Sequence, residues 1–217
     1  MPHRFTAIGC KEGIVLSKPS KKTPPFVRGR VLSLAEKNGW RASEGHKLMV
    51  VGGGDLRFEY PSDFIHEFSD QSVKVRDKVF PKDVMVLEVS VVKTPPITSW
   101  ENVPSLSAIL TDNLLKQGRT VDAEAIHVTE SPNLEVAWAE YESDEEDPQT
   151  HEPRPAVWRQ AHCFPGKAHK GKYMPFGIIS FGFWKDHAEK ANPVWDHFLS
   201  TVIMGSQPDP EPTPASN

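Results

Sequence analysis

The chain has 217 residues, 38% hydrophobic and 25% charged, with a net charge of −4, enough for one domain of ordinary size with a true core. No run approaches the roughly 18 apolar residues of a membrane span, and His3, Arg4, Lys11 and Glu12 interrupt any secretory apolar segment. Cys10 and Cys163 sit far apart in unlike segments, so no disulfide framework is implied and the reducing cytoplasm is the expected compartment.

The charge is unevenly spread. Residues 1–43 carry nine basic side chains (Arg4, Lys11, Lys18, Lys21, Lys22, Arg28, Arg30, Lys37 and Arg41) against Glu12 and Glu36, a local +7 that leaves −11 for the rest. A basic arm on an acidic body is a pattern of tails that meet anionic partners. No aromatic ladder or base-reading motif accompanies these charges, so nucleic acid is not an expected partner. Residues 1–40 contain Lys18-Pro19-Ser20-Lys21-Lys22-Thr23-Pro24-Pro25 and are expected to be a largely disordered extension, with a short helical turn over 31–37 ending at Asn38-Gly39. A single domain is expected over 41–205, followed by a disordered, proline-rich tail over 206–217.

Within the domain, His46 to Val51 reads as a first strand, and Gly52-Gly53-Gly54-Asp55 as its turn. Leu56, Phe58 and Tyr60 alternate with Arg57 and Glu59, the period of a half-buried strand, which Pro61-Ser62-Asp63 ends. Residues 72–77 alternate again. Residues 84–92 are rich in β-branched side chains, as a central strand would be. Pro104 opens a helix in which Leu106, Ile109, Leu110 and Leu114 share a face, with Gly118 as its stop. Strands are then expected over 125–129 and from Leu134 through Val136 and Trp138, an acidic loop over 143–155, and strands over 156–164 and 174–183.

The last element reads as a helix capped by Asn192, with Pro193 at its first position and Gly205 as its terminator. Its apolar stripe is Val194, Trp195, Phe198, Leu199, Val202 and Ile203. The fold class is therefore α+β: a mainly antiparallel sheet with a middle helix and a C-terminal helix packed on it.

The residues offer little chemistry. The three glycines at 52–54 lack the helix and the Lys-Ser/Thr pair of a phosphate loop and read as a hairpin turn. His162 and Cys163 are neighbours on a strand and point to opposite faces, so they do not share an ion. Trp138, Trp158, Trp184 and Trp195 read as core anchors. No catalytic residue, metal or cofactor is expected. The expected partner surfaces are the acidic stretch Glu140, Glu142, Asp144, Glu145, Glu146 and Asp147, and the basic turn with Lys167, His169, Lys170, Lys172 and Tyr173. The rival reading is a small metal-dependent hydrolase built on His162, His169 and His187.

Three landmarks carry a resemblance. Phe58-Glu59-Tyr60-Pro61-Ser62-Asp63-Phe64 resembles the early strand and turn of PsbP-like proteins. Trp138-Ala139-Glu140-Tyr141 with the return strand over 156–164 is similar to their middle hairpin. The strand from Gly177 to Trp184 with the helix around Trp195 to Ile203 is similar to their C-terminal unit. The resemblance covers about residues 46–205 and implies an α/β/α sandwich shared by PsbP, Ran-binding Mog factors and small bacterial proteins. It implies a non-enzymatic binding, adaptor or chaperone-like role with a protein partner. An effector-associated chaperone or immunity protein is a further, separate alternative. The basic arm and the lack of a transit peptide depart from the photosystem members.

Overall fold

The computed structural model describes residues 14–16, 35–69, 72–97, 99, 101, 103–131, 134–166, 169 and 172–205. In chain order the strands are β1 (Ile14–Leu16), β2 (His46–Val51), β3 (Leu56–Pro61), β4 (Ile65–Phe68), β5 (Ser72–Arg76), β6 (Met85–Thr94), β7 (His127–Ser131), β8 (Leu134–Glu146), β9 (Pro153–Phe164), β10 (Met174–Trp184) and β11 (Ile203–Met204). Helix α1 spans Leu106–Lys116 and α2 spans Ala188–Thr201. They form two sheets, a small one ordered β1-β2-β3-β11 and a large one ordered β4-β5-β6-β10-β9-β8-β7. Among the described residues all pairings are antiparallel except β1 with β2. The chain is an α+β protein.

The alternation read from the sequence decides which face each strand buries. Val73, Val75, Leu87, Val89, Ile179 and Phe181 of the large sheet meet Met49, Leu56, Phe58 and Tyr60 of the small one, with Trp195 and Phe198 of α2 in the same cluster. The opposite face of the large sheet receives α1. There Leu106, Leu110 and Leu114 pack on Ala137, Ala139, Phe164 and Met174. Small side chains on β8 let the helix approach, and Ser105 caps it by accepting from the Ala108 amide.

β1, the apolar triplet Ile14-Val15-Leu16 within the N-terminal extension, pairs in parallel with the free edge of β2. Other expectations need correction. Residues 35–38 are helical, as expected, and Gly39 turns the chain at φ +68°; the rest of the expected turn and the tail over 206–217 lie outside the described residues. Trp40, with Ala35, then covers the outer face of the small sheet over Leu48 and Val50. Arg57, expected to face solvent, is consequently 1% exposed, its guanidinium 4.3 Å from the Trp40 ring. The expected acidic loop is mostly strand, because β8 and β9 stay in register to Glu146 and Pro153. The turn is confined to residues 147–152.

The last helix starts earlier and stops earlier than its cap signals suggest. Ala191 is fully buried, so the turn before Pro193 is held by packing, and Pro193 lies inside the helix. Asn192 does not cap; its Oδ1 accepts from Arg159 Nη2 at 2.7 Å. Val202 is extended, and Ile203 and Met204 leave the helix to pair with β3.

Two glycines in β10 are dictated by close approach. A Cβ on Gly177 would sit 2.5 Å from Cys163 Sγ and 2.9 Å from Leu56 Cδ1, and one on Gly182 would meet the Trp158 ring at 2.6 Å. Gly177→Ala is expected to cost about 1–3 kcal/mol through overpacking. Adding Cys163→Ala should recover part of that loss, giving a favourable coupling in a urea-unfolding double-mutant cycle. Strictly additive effects would show that the contact is not the constraint.

Candidate functional site

The turn over 52–54 sets the register of the β2–β3 hairpin: Val51 faces Leu56, Leu48 faces Glu59 and His46 faces Pro61. Since side chains alternate, His46, Leu48 and Glu59 share one face. Helix α2 packs against β3 and brings His197 and Thr201, one turn apart, to the same place. His197 Nε2 lies 3.0 Å from Glu59 Oε2, and the His46 and His197 rings stack with centroids 3.8 Å apart and planes 17° apart. His46 Nδ1 is 3.0 Å from the Glu44 carbonyl oxygen.

Glu59 is held from several sides. The Ser43 amide donates to Oε2 at 3.1 Å and the Ser43 hydroxyl donates to the same oxygen. The Glu59 amide donates to Thr201 Oγ1 at 3.2 Å, while that hydroxyl donates to the His197 carbonyl at 2.8 Å. The carboxylate is 12% exposed and the His197 ring 27%. Burial pushes the Glu59 carboxyl up, but the hydrogen bonds from Ser43 and His197 outweigh it and leave the group below its ordinary value.

The acidic stretch lies along β8 and its turn, with many of its charges matched within the chain. Glu140 faces Arg159 across the strand pair, with Oε2 2.7 Å from Nε. Glu142 pairs with Lys185 at 2.6 Å, Glu145 with Arg119 at 3.8 Å and Glu146 with His151 at 2.7 Å. Asp147 accepts from the Gln149 amide and pairs with Arg154 at 3.0 Å; Arg154 also reaches Asp186 at 2.8 Å. Asp144 is exposed.

In the basic turn, Lys167 and Lys170 lie outside the described residues. His169 Nε2 is 3.0 Å from the Tyr173 carbonyl oxygen, and Lys172 is exposed. Tyr173 is tied to the body: its hydroxyl donates to Asp55 Oδ1 at 2.8 Å, and Lys93 Nζ lies 3.1 Å from both Asp55 Oδ2 and that hydroxyl. The structure does not unite the two expected surfaces. The acidic turn and the basic turn sit at opposite ends of β9, roughly 40 Å apart at a strand's rise per residue.

Nor does it unite His162, His169 and His187. His162 lies under α1, fully buried, with Nε2 3.3 Å from Asn113 Nδ2 and Nδ1 without a hydrogen-bond partner among the described residues. His187 stands at the start of α2, beyond the other end of β10 from the His169 turn. Cys163 points the opposite way from His162, its Sγ 3.6 Å from Met204 Sδ, and burial pushes its thiol up to about 12. Among the described residues, the three-donor group is His46, Glu59 and His197, with ligand atoms all within 4.8 Å of one another. None of the three is conspicuous in the sequence alone; the signal for two of them is the mirror pairing about residues 52–54, which puts His46 and Glu59 on one face.

Two packed sheets, a middle helix on the large sheet and a C-terminal helix closing on the small one define an α+β protein whose polar clusters sit on strand edges and the helix rim. Among the described residues no helix is long and apolar enough to cross a membrane. The chain belongs to the Alr1449 family, whose sequence model matches residues 47–207. It is similar to "Uncharacterized protein alr1449" of Nostoc sp. (strain PCC 7120 / SAG 25.82 / UTEX 2576), 28% identical over 191 residues that cover 88% of this chain and 93% of that protein. Among solved structures it is similar to LpqN, involved in cell envelope biogenesis of Mycobacterium tuberculosis, with a TM-score of 0.46, 8% identity and coverage of 74% of this chain and 90% of that one. It is also similar to cyanobacterial PsbP (CyanoP) from Synechocystis sp. PCC 6803, with a TM-score of 0.40, 11% identity and coverage of 75% and 94%.

Burial pushes the His162 imidazole down to about 4 from an ordinary 6.5. Between those values the unfolded chain binds a proton that the folded one excludes, so stability falls as pH drops from about 6.5 to about 4, by up to roughly 3 kcal/mol. In His162→Phe that part of the pH dependence should vanish in urea titrations at pH 7 and pH 4.5. An unchanged slope would show that His162 does not set it.

Proposed function

We propose that the protein is a non-enzymatic binding protein, an adaptor or chaperone, that takes up an extended basic segment of a protein partner along the free edge of β8. One observation carries this reading. β7 pairs with Leu134 to Trp138 alone, whereas β8 runs on to Glu146. Residues 139–146 therefore have, among the described residues, one strand neighbour, β9. A strand with one side unpaired presents a row of amide and carbonyl groups that another chain can complete.

Side chains choose the occupant. Glu140, Glu142, Asp144, Glu145 and Glu146 line this stretch, and Asp144 is exposed on it. An incoming strand with Lys or Arg at alternate positions is favoured, and a second copy of β8 is repelled. Pairing with Arg159, Lys185, Arg119 and His151 offsets part of the field, which suits reversible binding. An effector-associated chaperone or immunity protein would use the same edge.

The test places a photo-crosslinking phenylalanine analogue at Asp144, with a second probe at Lys74 on β5, in the full chain. Irradiation in native lysate should yield a discrete adduct with the first probe and not with the second. The same site in a background of Glu145→Lys and Glu146→Lys should lose the adduct about tenfold while the melting temperature stays within a few degrees. Identical adducts from both probes, or one indifferent to charge reversal, would sink the proposal.

A further inference from the structure

We propose that His46, Glu59 and His197 form a binding site for a divalent transition-metal ion of the zinc, nickel or copper type. The proposal is independent of the β8 edge and rests on a different part of the molecule. Two imidazoles and a carboxylate are a donor set for such ions, leaving further positions for water. The donors come from β2, β3 and α2, and all lie within 4.8 Å of one another.

The surroundings are arranged as outer partners of a metal site are. His46 Nδ1 donates to the Glu44 carbonyl at 3.0 Å, which leaves the Nε2 lone pair to ligate. The Ser43 amide and hydroxyl both hold Glu59 Oε2 and fix the carboxylate's direction. Thr201 clips the Glu59 amide to the His197 carbonyl, so strand and helix keep their spacing. Arg57, the next residue along that face, is turned onto the Trp40 ring. The cluster is half-buried, so an ion can enter without opening the core.

Without an ion, His197 Nε2 is hydrogen-bonded to Glu59 Oε2 at 3.0 Å. Binding would replace that contact with two bonds to the ion, starting from rings stacked with centroids 3.8 Å apart. A bound ion would tie the second half of α2 to the β2–β3 hairpin and raise the stability of the folded chain.

The experiment titrates zinc, and separately copper(II), into the full-length, tag-free, metal-stripped protein at pH 7.5. It uses competition with a chromophoric chelator and follows the melting temperature in parallel. One equivalent should bind with a dissociation constant of about 1 μM or below, accompanied by a rise in melting temperature. His46→Gln and His197→Gln should each weaken binding about 100-fold and abolish the rise, Glu59→Gln should weaken it about tenfold, and His169→Gln should change neither. Copper(II) electron paramagnetic resonance should show nitrogen hyperfine structure that simplifies in either histidine variant. Circular dichroism of the metal-free variants separates lost ligation from lost folding, and Glu59→Gln retains the carboxylate's shape if either histidine variant unfolds. Absence of a saturable equivalent in the parent, or undiminished affinity in the folded histidine variants, would overturn the proposal.

Discussion

The position of α2 depends on one aromatic side chain. Trp195 is fully buried between the sheets, stacked on Phe181 at 5.7 Å and on Phe198 at 5.4 Å, with Trp138 edge-on at 5.5 Å. Phe198 continues the contact into the small sheet by meeting Phe58 edge-on at 5.2 Å. This layer bonds the C-terminal helix to both sheets at once, and aromatic pairs add to the large area such rings bury. With the helix pinned there, His197 has little choice of neighbour. It falls beside Glu59, and Asn192 falls beside Arg159.

Much of the architecture is legible locally, because strands and helices write their period into the residues that form them. Leu56, Phe58 and Tyr60 mark β3; Leu106, Leu110 and Leu114 mark α1; and both elements lie where the pattern puts them. What escapes a local reading is decided by partners distant in sequence. Arg57 looks like an outward strand residue until Trp40 covers it. β1 gains strand geometry from β2, more than 30 residues on. Asn192 and Pro193 have the chemistry of a helix start, yet burial of Ala191 and the demand of Arg159 outweigh it.

The same distinction explains the candidate site. The acidic run is obvious in sequence, but its neutralisation by Arg159, Lys185 and Arg119 depends on strand pairing and helix placement. His46 and Glu59 are linked by a hairpin that a sequence can suggest. His197, 138 residues from Glu59, joins them through tertiary packing alone. Histidines conspicuous by adjacency to a cysteine, such as His162, prove to be packed under a helix.

The hairpin of three glycines acts as a gauge for this protein. Gly52, Gly53 and Gly54 hold φ values of +65°, +78° and +108°, which other residues seldom adopt. Their number fixes the counting of β3 against β2. Shortening the loop by one residue while the strands stayed paired would slide every side chain of one strand to the reverse face. Glu59 would then point into the apolar interlayer and Phe58 toward the histidines. A segment with no side chains of its own therefore carries the address of a cluster it never touches.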